Sequence, residues 1–194
     1  MDFDAEQSRL VDLVDDLLAN CKGKGWSKYK GDVVCRVVSE HIQQHLSSNL
    51  KVVGPSVYIE GFPSELDLMV VDSEASPLRR TNAYQANRIH RVMEIKKRGV
   101  FGRRDELEAN AKRIKSVFDY IIDQQHHIKA AYLTIQETVD PVREKSIRFA
   151  DKTRTALHPY PVFVLRDSRG NRLQKGEWRR FIEYVTGRPE TASG

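Results

Sequence analysis

The succession of apolar patterns along the chain is the feature that most restricts its fold. Two amphipathic helices are predicted first, at about residues 4–19 and 32–46, because leucines and valines recur there at helical spacing. Three strand-like segments follow, and then a helix, two strands and a final helix. The expected ranges of these later elements are 57–62, 66–71, 91–97, 105–122, 129–135, 162–165 and 178–185.

This order predicts an α/β (α+β) fold with a central mixed sheet of about five strands flanked by helices. Three consecutive strands favour an antiparallel meander, and the helix after them favours a right-handed crossover to a parallel strand. A chain of 194 residues can bury one core of its own. We expect an acidic helix and a basic-aromatic loop at 1–30, the main domain at 31–187 and a flexible tail at 188–194.

Charge is distributed unevenly along the chain, which the formal net charge of +5 conceals. Residues 1–20 hold six acids and one base, whereas residues 79–104 hold nine bases and a single acid, Glu94. Such a basic stretch attracts polyanions, nucleic acid first. The alternative is a solvated face that the acidic first helix neutralises.

A short acid-free segment, residues 22–30, interleaves four lysines with Trp26 and Tyr29. Its glycines favour a loop. Aromatic rings among lysines can stack on bases while the lysines meet phosphates. The competing interpretation is a turn pinned by a buried tryptophan.

The cysteine content and the N-terminus bear on the compartment. The two cysteines, Cys21 and Cys35, have neither a CxxC partner nor a zinc-ligand spacing. The N-terminus lacks the apolar core of a secretory signal, and no apolar run reaches the ~18 residues of a membrane span. We therefore expect a cytoplasmic protein without a membrane partner.

Two of the predicted strands carry charges where a buried sheet disfavours them. Asp67 is the one interior charge of the strand at 66–71. In the next strand, Glu94 and Lys96 point to the same face because side chains alternate along a strand. Buried charges are costly unless they are paired or bind a metal. Asp67 and Lys96 can thus form a structural ion pair with Glu94 solvated at an edge, or all three can form a site.

The segments Ser64–Asp72 and Val92–Lys97, in this order of elements, resemble the PD-(D/E)XK nuclease superfamily, also called restriction-endonuclease-like. The resemblance covers the core helix–strand–strand–strand–helix–strand, residues 32–135. Two departures stand out. Leu66 occupies the position where the family has proline, and a polar loop at 72–87 lengthens the gap between the two motifs.

The resemblance implies a Mg²⁺ site, with Mn²⁺ as a substitute, made by Asp67, Glu94 and the backbone carbonyl of Ile95. Lys96 would orient the attacking water and stabilise the charge on the phosphate. Family members often add a carboxylate from the first core helix, and Glu40 is the candidate for it. Alternatively, Glu40 is an exposed helix residue without a role in the site, or Glu65 or Glu60 takes its place. The expected nucleic-acid contacts are Lys97, Arg98, Arg103, Arg104, Arg79 and Arg80.

Three functions are therefore open at this point. The first is a Mg²⁺-dependent phosphodiesterase, with DNA favoured over RNA as its substrate. The second is a non-catalytic protein of the same restriction-endonuclease-like fold that binds nucleic acid or a protein partner. The third is an unrelated α/β scaffold in which the acidic first helix mediates dimerisation. A homodimer does not discriminate among them, because restriction-type nucleases are often dimers.

Overall fold

The computed structural model describes residues 2–22, 24–98, 104–137, 149–167 and 172–188. The helices in these ranges are α1 (Phe3–Leu18), α2 (Ser27–Gln43), α3 (Arg104–Gln124), α4 (Phe149–Leu157) and α5 (Glu177–Thr186). The strands are β1 (Leu50–Val53), β2 (Tyr58–Ile59), β3 (Leu68–Asp72), β4 (Ala83–Tyr84), β5 (Ile89–Arg98), β6 (Lys129–Gln136) and β7 (Val162–Arg166).

The main sheet has five strands in the order β1-β3-β5-β6-β7. β1, β3 and β5 pair antiparallel, whereas β5, β6 and β7 pair parallel. Helix α3 connects β5 to its parallel neighbour β6, as the sequence predicts. The predicted fold class, a mixed sheet of about five strands flanked by helices, is confirmed.

The first strand of the meander differs from the prediction. It is β1, which pairs with β3 from Leu50 opposite Asp72 to Val53 opposite Met69. The segment predicted as strand 57–62 supplies only β2, which pairs with β4 in a separate two-stranded sheet. Gly61 adopts a left-handed φ of 76° and Pro63 has no N–H to donate, so this segment cannot continue as a strand.

Two helical segments also differ from the prediction made from the sequence. Helix α2 begins at Ser27, so residues 27–30 are helical and not loop. Gly31 lies inside this helix, where the buried valines that follow it stabilise the helical conformation. Helix α4 lies in a connection that the sequence suggested was irregular, and its Thr153 and Leu157 are buried.

Helices cover both faces of the sheet. On one face α1, α2 and α5 pack against Met93, Ile95 and other apolar strand residues. On the opposite face α3 and α4 pack against residues that include Val92. Because strand side chains alternate, Glu94 and Lys96 lie on the α3 side of β5, at the end of the sheet.

Helix α1 shares its core with α2 and α5. The Gln7 side chain donates to the carbonyl of Leu165 at 2.7 Å and accepts from the N–H of Trp178 at 3.1 Å. The carboxylate of Glu6 pairs with His45 Nε2 at 2.9 Å in a buried contact. None of the helices in the described ranges combines the length and the apolar character that a membrane crossing requires.

Candidate active site

Asp67 lies where β3 separates from the rest of the sheet. Leu66, the residue before it, pairs with Val57 and not with β5. Asp67 Oδ2 instead accepts a hydrogen bond from the N–H of Ile95 at 2.8 Å. The carboxylate thus takes the place of the backbone acceptor that β3 would have offered to β5. This bond fixes the orientation of the Asp67 side chain.

The Asp67 and Glu94 carboxylates meet at the ammonium group of Lys96. Leu68 pairs with Met93, so continuing the antiparallel register places Asp67 opposite Glu94. Lys96 Nζ is 3.0 Å from Asp67 Oδ2 and 2.6 Å from Glu94 Oε1. The two oxygens can therefore be no more than about 5.6 Å apart, which is the sum of those distances.

The electrostatics of this cluster reflect one cation between two anions. Burial raises the pKa of Glu94, and the neighbouring Asp67 charge adds to that rise, while Lys96 opposes it. Burial alone lowers the pKa of Lys96, but the two carboxylates more than offset it, so its pKa lies above the usual value. The lysine therefore stays charged, and the cluster carries an excess of negative charge when both carboxylates are ionised.

These groups fit a hard divalent cation. Mg²⁺ is usually held by one or two carboxylates and keeps several of its waters. Within a strand, the N–H and C=O of one residue point toward the same edge. The carbonyl of Ile95 therefore faces the edge at which its N–H meets Asp67. No set of three His, Cys, Asp or Glu side chains gathers among the described residues, so water and main chain would complete the shell.

The residue of α2 that interacts with the charges of this cluster is Cys35. Burial raises the pKa of the Cys35 thiol, and the charges of Asp67 and Glu94 raise it further. Asp32, one helical turn before Cys35, acts on the same thiol. Glu40, the candidate from the sequence, is exposed farther along the helix, and no contact within the described residues joins it to the cluster.

The other two carboxylate candidates, Glu65 and Glu60, differ in their surroundings. Glu65 accepts hydrogen bonds from Ser56 Oγ and from the Tyr58 hydroxyl, both at 2.9 Å. These bonds lower the pKa of Glu65, and the charges of Lys28 and Lys96 lower it further. Glu65 is thus an ionised group close to Lys96. Glu60 is exposed.

The predicted nucleic-acid contacts fall into three groups. Lys97 Nζ is 3.5 Å from Asp15 on α1, which also binds Arg166 at 2.6 Å. Arg79 and Arg80 are exposed between β3 and β4, without a contact to Asp67 or Glu94 in the described part of the chain. The side chains of Arg98 and Arg104, and all of Arg103, lie outside the described residues.

Arg113 of α3 is a further cation that the sequence reading did not select. Its charge lowers the pKa of Glu94, although burial and Asp67 leave that pKa raised overall. The arginine is exposed. Its position on the helix that covers this face of the sheet adds positive charge beside the cluster.

Gly54 packs closely against the backbone of Asp67. Its φ is 140°, in the region that favours glycine. A Cβ at this position would overlap the carbonyl oxygen of Asp67 and the side chain of Leu68. The turn after β1 therefore packs directly on the backbone that carries the catalytic candidate.

Comparison with known proteins shows a similarity of fold. No family model and no curated protein matches the chain. Two solved structures with a TM-score of 0.52 are similar to it: NucC of P. aeruginosa ATCC27853 and NucC of E. coli MS115-1, both in the cAAA-bound form. They are 18% and 16% identical in sequence, each alignment covers 82% of this chain, and it spans 72% and 71% of the respective NucC chains. The fold of this chain is thus similar to that of NucC.

Proposed function

We propose that this chain is a metal-dependent nuclease that hydrolyses phosphodiester bonds in DNA. The observation that carries the proposal is the convergence of the Asp67 and Glu94 carboxylates on the Lys96 ammonium, where β3 leaves the sheet. The similarity of the fold to NucC supports it. The resemblance of the two motifs to PD-(D/E)XK nucleases supports it independently.

Asp67, Glu94 and the Ile95 carbonyl would hold Mg²⁺ or Mn²⁺. When bound, such an ion polarises a phosphate oxygen and lowers the pKa of a coordinated water. The N–H of Ile95 keeps Asp67 oriented toward this position. Glu94 would have to be ionised to hold the cation, because a ligating carboxylate must be deprotonated.

Lys96 would act on the phosphate. Its raised pKa keeps the ammonium charged at neutral pH, and a charged group placed beside developing negative charge stabilises it in the transition state. A divalent cation would also take over the neutralisation of the two carboxylates, which frees the ammonium to contact the substrate.

Basic residues in the surroundings favour a polyanionic substrate. Residues 79–104 contain nine bases and one acid. Arg113 adds a cation from α3, close enough to act on Glu94. Contacts of this kind bind the phosphate backbone and position it without reading its sequence.

Incubation of the purified protein with plasmid DNA tests the proposal. Cleavage is expected with Mg²⁺ and not with EDTA. Asp67→Asn and Lys96→Ala should each lower the rate at least about 100-fold, the scale seen when a preorganised charge-stabilising group is removed. Lys115→Ala is the matched control, because Lys115 also pairs with a carboxylate, Asp119, within α3.

Two outcomes would overturn the proposal. Full activity in both Asp67→Asn and Lys96→Ala would show that the site is elsewhere. A wild-type protein that binds DNA, cuts none and takes up no Mn²⁺ would instead be a non-catalytic protein with this fold.

A further inference from the structure

Two exposed aromatic rings lie together at the start of α2. Trp26 and Tyr29 each leave 47% of their surface accessible to water. Their ring centroids are 5.6 Å apart and their planes meet at 72°. Trp178, by contrast, is fully buried, and Trp26 is not among the described core residues. The nuclease chemistry proposed above has no role for this pair.

The charge around the rings identifies the kind of partner. Residues 22–31 contain four lysines and no acid, and Lys22 and Lys28 are exposed. An apolar protein surface would match the rings but not the lysines. A nucleic-acid strand matches both, because its bases stack on aromatic rings while its phosphates pair with ammonium groups.

The rings lie near the candidate active site. Lys28, which lies between Trp26 and Tyr29 in the sequence, acts on Glu65, and Lys96 of the catalytic cluster acts on the same carboxylate. Farther along α2, Cys35 interacts with the charges of the cluster. At 1.5 Å of rise per residue, Tyr29 precedes Cys35 by about 9 Å along the helix axis. Lys28, beside both rings, and Lys96 thus lie near the same carboxylate, which puts the rings on the approach to the cluster.

We propose that Trp26 and Tyr29 form a stacking platform for unpaired bases of the strand that enters the Asp67–Glu94–Lys96 site. This inference rests on the proposed nuclease function and gives it a preference for single-stranded segments, including those that open locally in a supercoiled plasmid. In a duplex, each base is covered on both faces by its neighbours and is not available to an aromatic side chain. A fully paired DNA would therefore engage the lysines alone.

Tryptophan fluorescence tests the platform directly. The chain has two tryptophans, and because Trp178 is fully buried, the response to a ligand reports on Trp26. The wild-type protein is titrated with a 15-nucleotide oligothymidylate and with a blunt DNA duplex of equal phosphate number, in EDTA to prevent cleavage. We expect saturable quenching by the oligothymidylate and little by the duplex.

Variants separate stacking from charge. In anisotropy titrations with labelled oligothymidylate, Trp26→Ala combined with Tyr29→Ala should weaken binding roughly tenfold to a hundredfold, while the salt dependence stays unchanged. Lys28→Ala should instead reduce the salt slope by about one. Tyr120→Ala is the matched control, since Tyr120 is 51% exposed on α3 and should bind like the wild type.

The proposed stacking platform and the proposed nuclease function can be refuted independently of each other. Wild-type affinity for oligothymidylate in the double aromatic variant, with no quenching of Trp26, would refute the platform and point to a protein partner for the rings. That result leaves intact a nuclease whose cleavage depends on Lys96. Binding that depends on Trp26, in a protein that cuts no DNA, would support the platform and refute the nuclease.

Discussion

Replacing Lys96 by methionine removes the one cation between two carboxylates and tests the geometry of the site without any substrate. Asp67 and Glu94 then face each other at no more than about 5.6 Å. At an effective dielectric constant of about 20, two unit charges at that separation repel by about 3 kcal/mol. Water reaches 25% of the Asp67 side chain and 15% of Glu94, so we expect Lys96→Met to lose about 2–3 kcal/mol at pH 7.

Thermal unfolding measures this loss. For a chain of 194 residues, it corresponds to a fall in Tm of roughly 5–10 °C. Two conditions should reverse the loss. Millimolar Mg²⁺ supplies the missing positive charge and should restore most of the Tm. Adding Glu94→Gln to Lys96→Met should do the same without metal, because one of the two repelling charges is gone.

Lower pH should also reduce the loss of stability in Lys96→Met. The pKa of Glu94 is raised by burial and by Asp67, and loss of Lys96 raises it further. A carboxylate whose pKa is higher in the folded state than in the unfolded state binds more protons when folded, so its contribution to stability improves as the pH falls. The gap in Tm between Lys96→Met and the wild type should therefore shrink from pH 7 to pH 5.

Lys115→Met provides the control for these measurements. Lys115 pairs with a single carboxylate, Asp119, and the two side chains are 32% and 43% exposed. Such surface pairs contribute about 1 kcal/mol or less. Equal losses in Lys96→Met and Lys115→Met, with no recovery in the Glu94→Gln double variant, would refute the shared site.

Three further predictions follow from the structure. Gly54→Ala should displace Asp67, because a Cβ would overlap its carbonyl oxygen, and should lower both Tm and plasmid cleavage. Asp15→Asn should release Lys97, which lies 3.5 Å away, and should tighten DNA binding with a steeper salt dependence in anisotropy titrations. Initial cleavage rates should fall as the pH drops through the raised pKa of Glu94, and higher Mg²⁺ should shift that fall to lower pH because the metal competes with the proton.

The chain offers matched controls for the first two of these. Gly61 also has a left-handed φ, of 76°, but nothing lies within 4 Å of its Cβ position. Gly61→Ala should therefore keep cleavage while Gly54→Ala loses it. Asp16, exposed on α1 beside Asp15, controls for charge alone: equal gains in DNA affinity for Asp15→Asn and Asp16→Asn would mean that release of Lys97 is not the cause.

Local patterns in the sequence predict most of the sheet and the pairing of the charged strands. The strands of Asp67 and Glu94 are consecutive long apolar segments, and consecutive strands usually pair. The alternation of side chains along β5 then places Glu94 and Lys96 on one face. These features depend on neighbouring residues in the chain or on the alternation of side chains along a strand, so they can be predicted from the sequence before the fold is known.

Features that depend on tertiary packing could not be predicted in the same way. β1 has four half-buried residues, too few to show alternation, and it is a strand because β3 offers it a partner. On α2, Cys35 is close enough for the charges of Asp67 and Glu94 to act on its thiol, whereas Glu40 is exposed farther along the helix; the packing of the valines of α2 sets which of its residues turn toward the sheet.

A crystal soaked in Mn²⁺ tests the central claim most directly. We expect one anomalous peak at about 2.0–2.3 Å from oxygens of Asp67 and Glu94 and from the Ile95 carbonyl, with the Lys96 ammonium displaced from between the carboxylates. The same crystal of Asp67→Asn should show a weak peak or none. An undisturbed contact of Lys96 with both carboxylates at saturating Mn²⁺, with no peak beside them, would contradict the assignment of a catalytic metal site to this edge of the sheet.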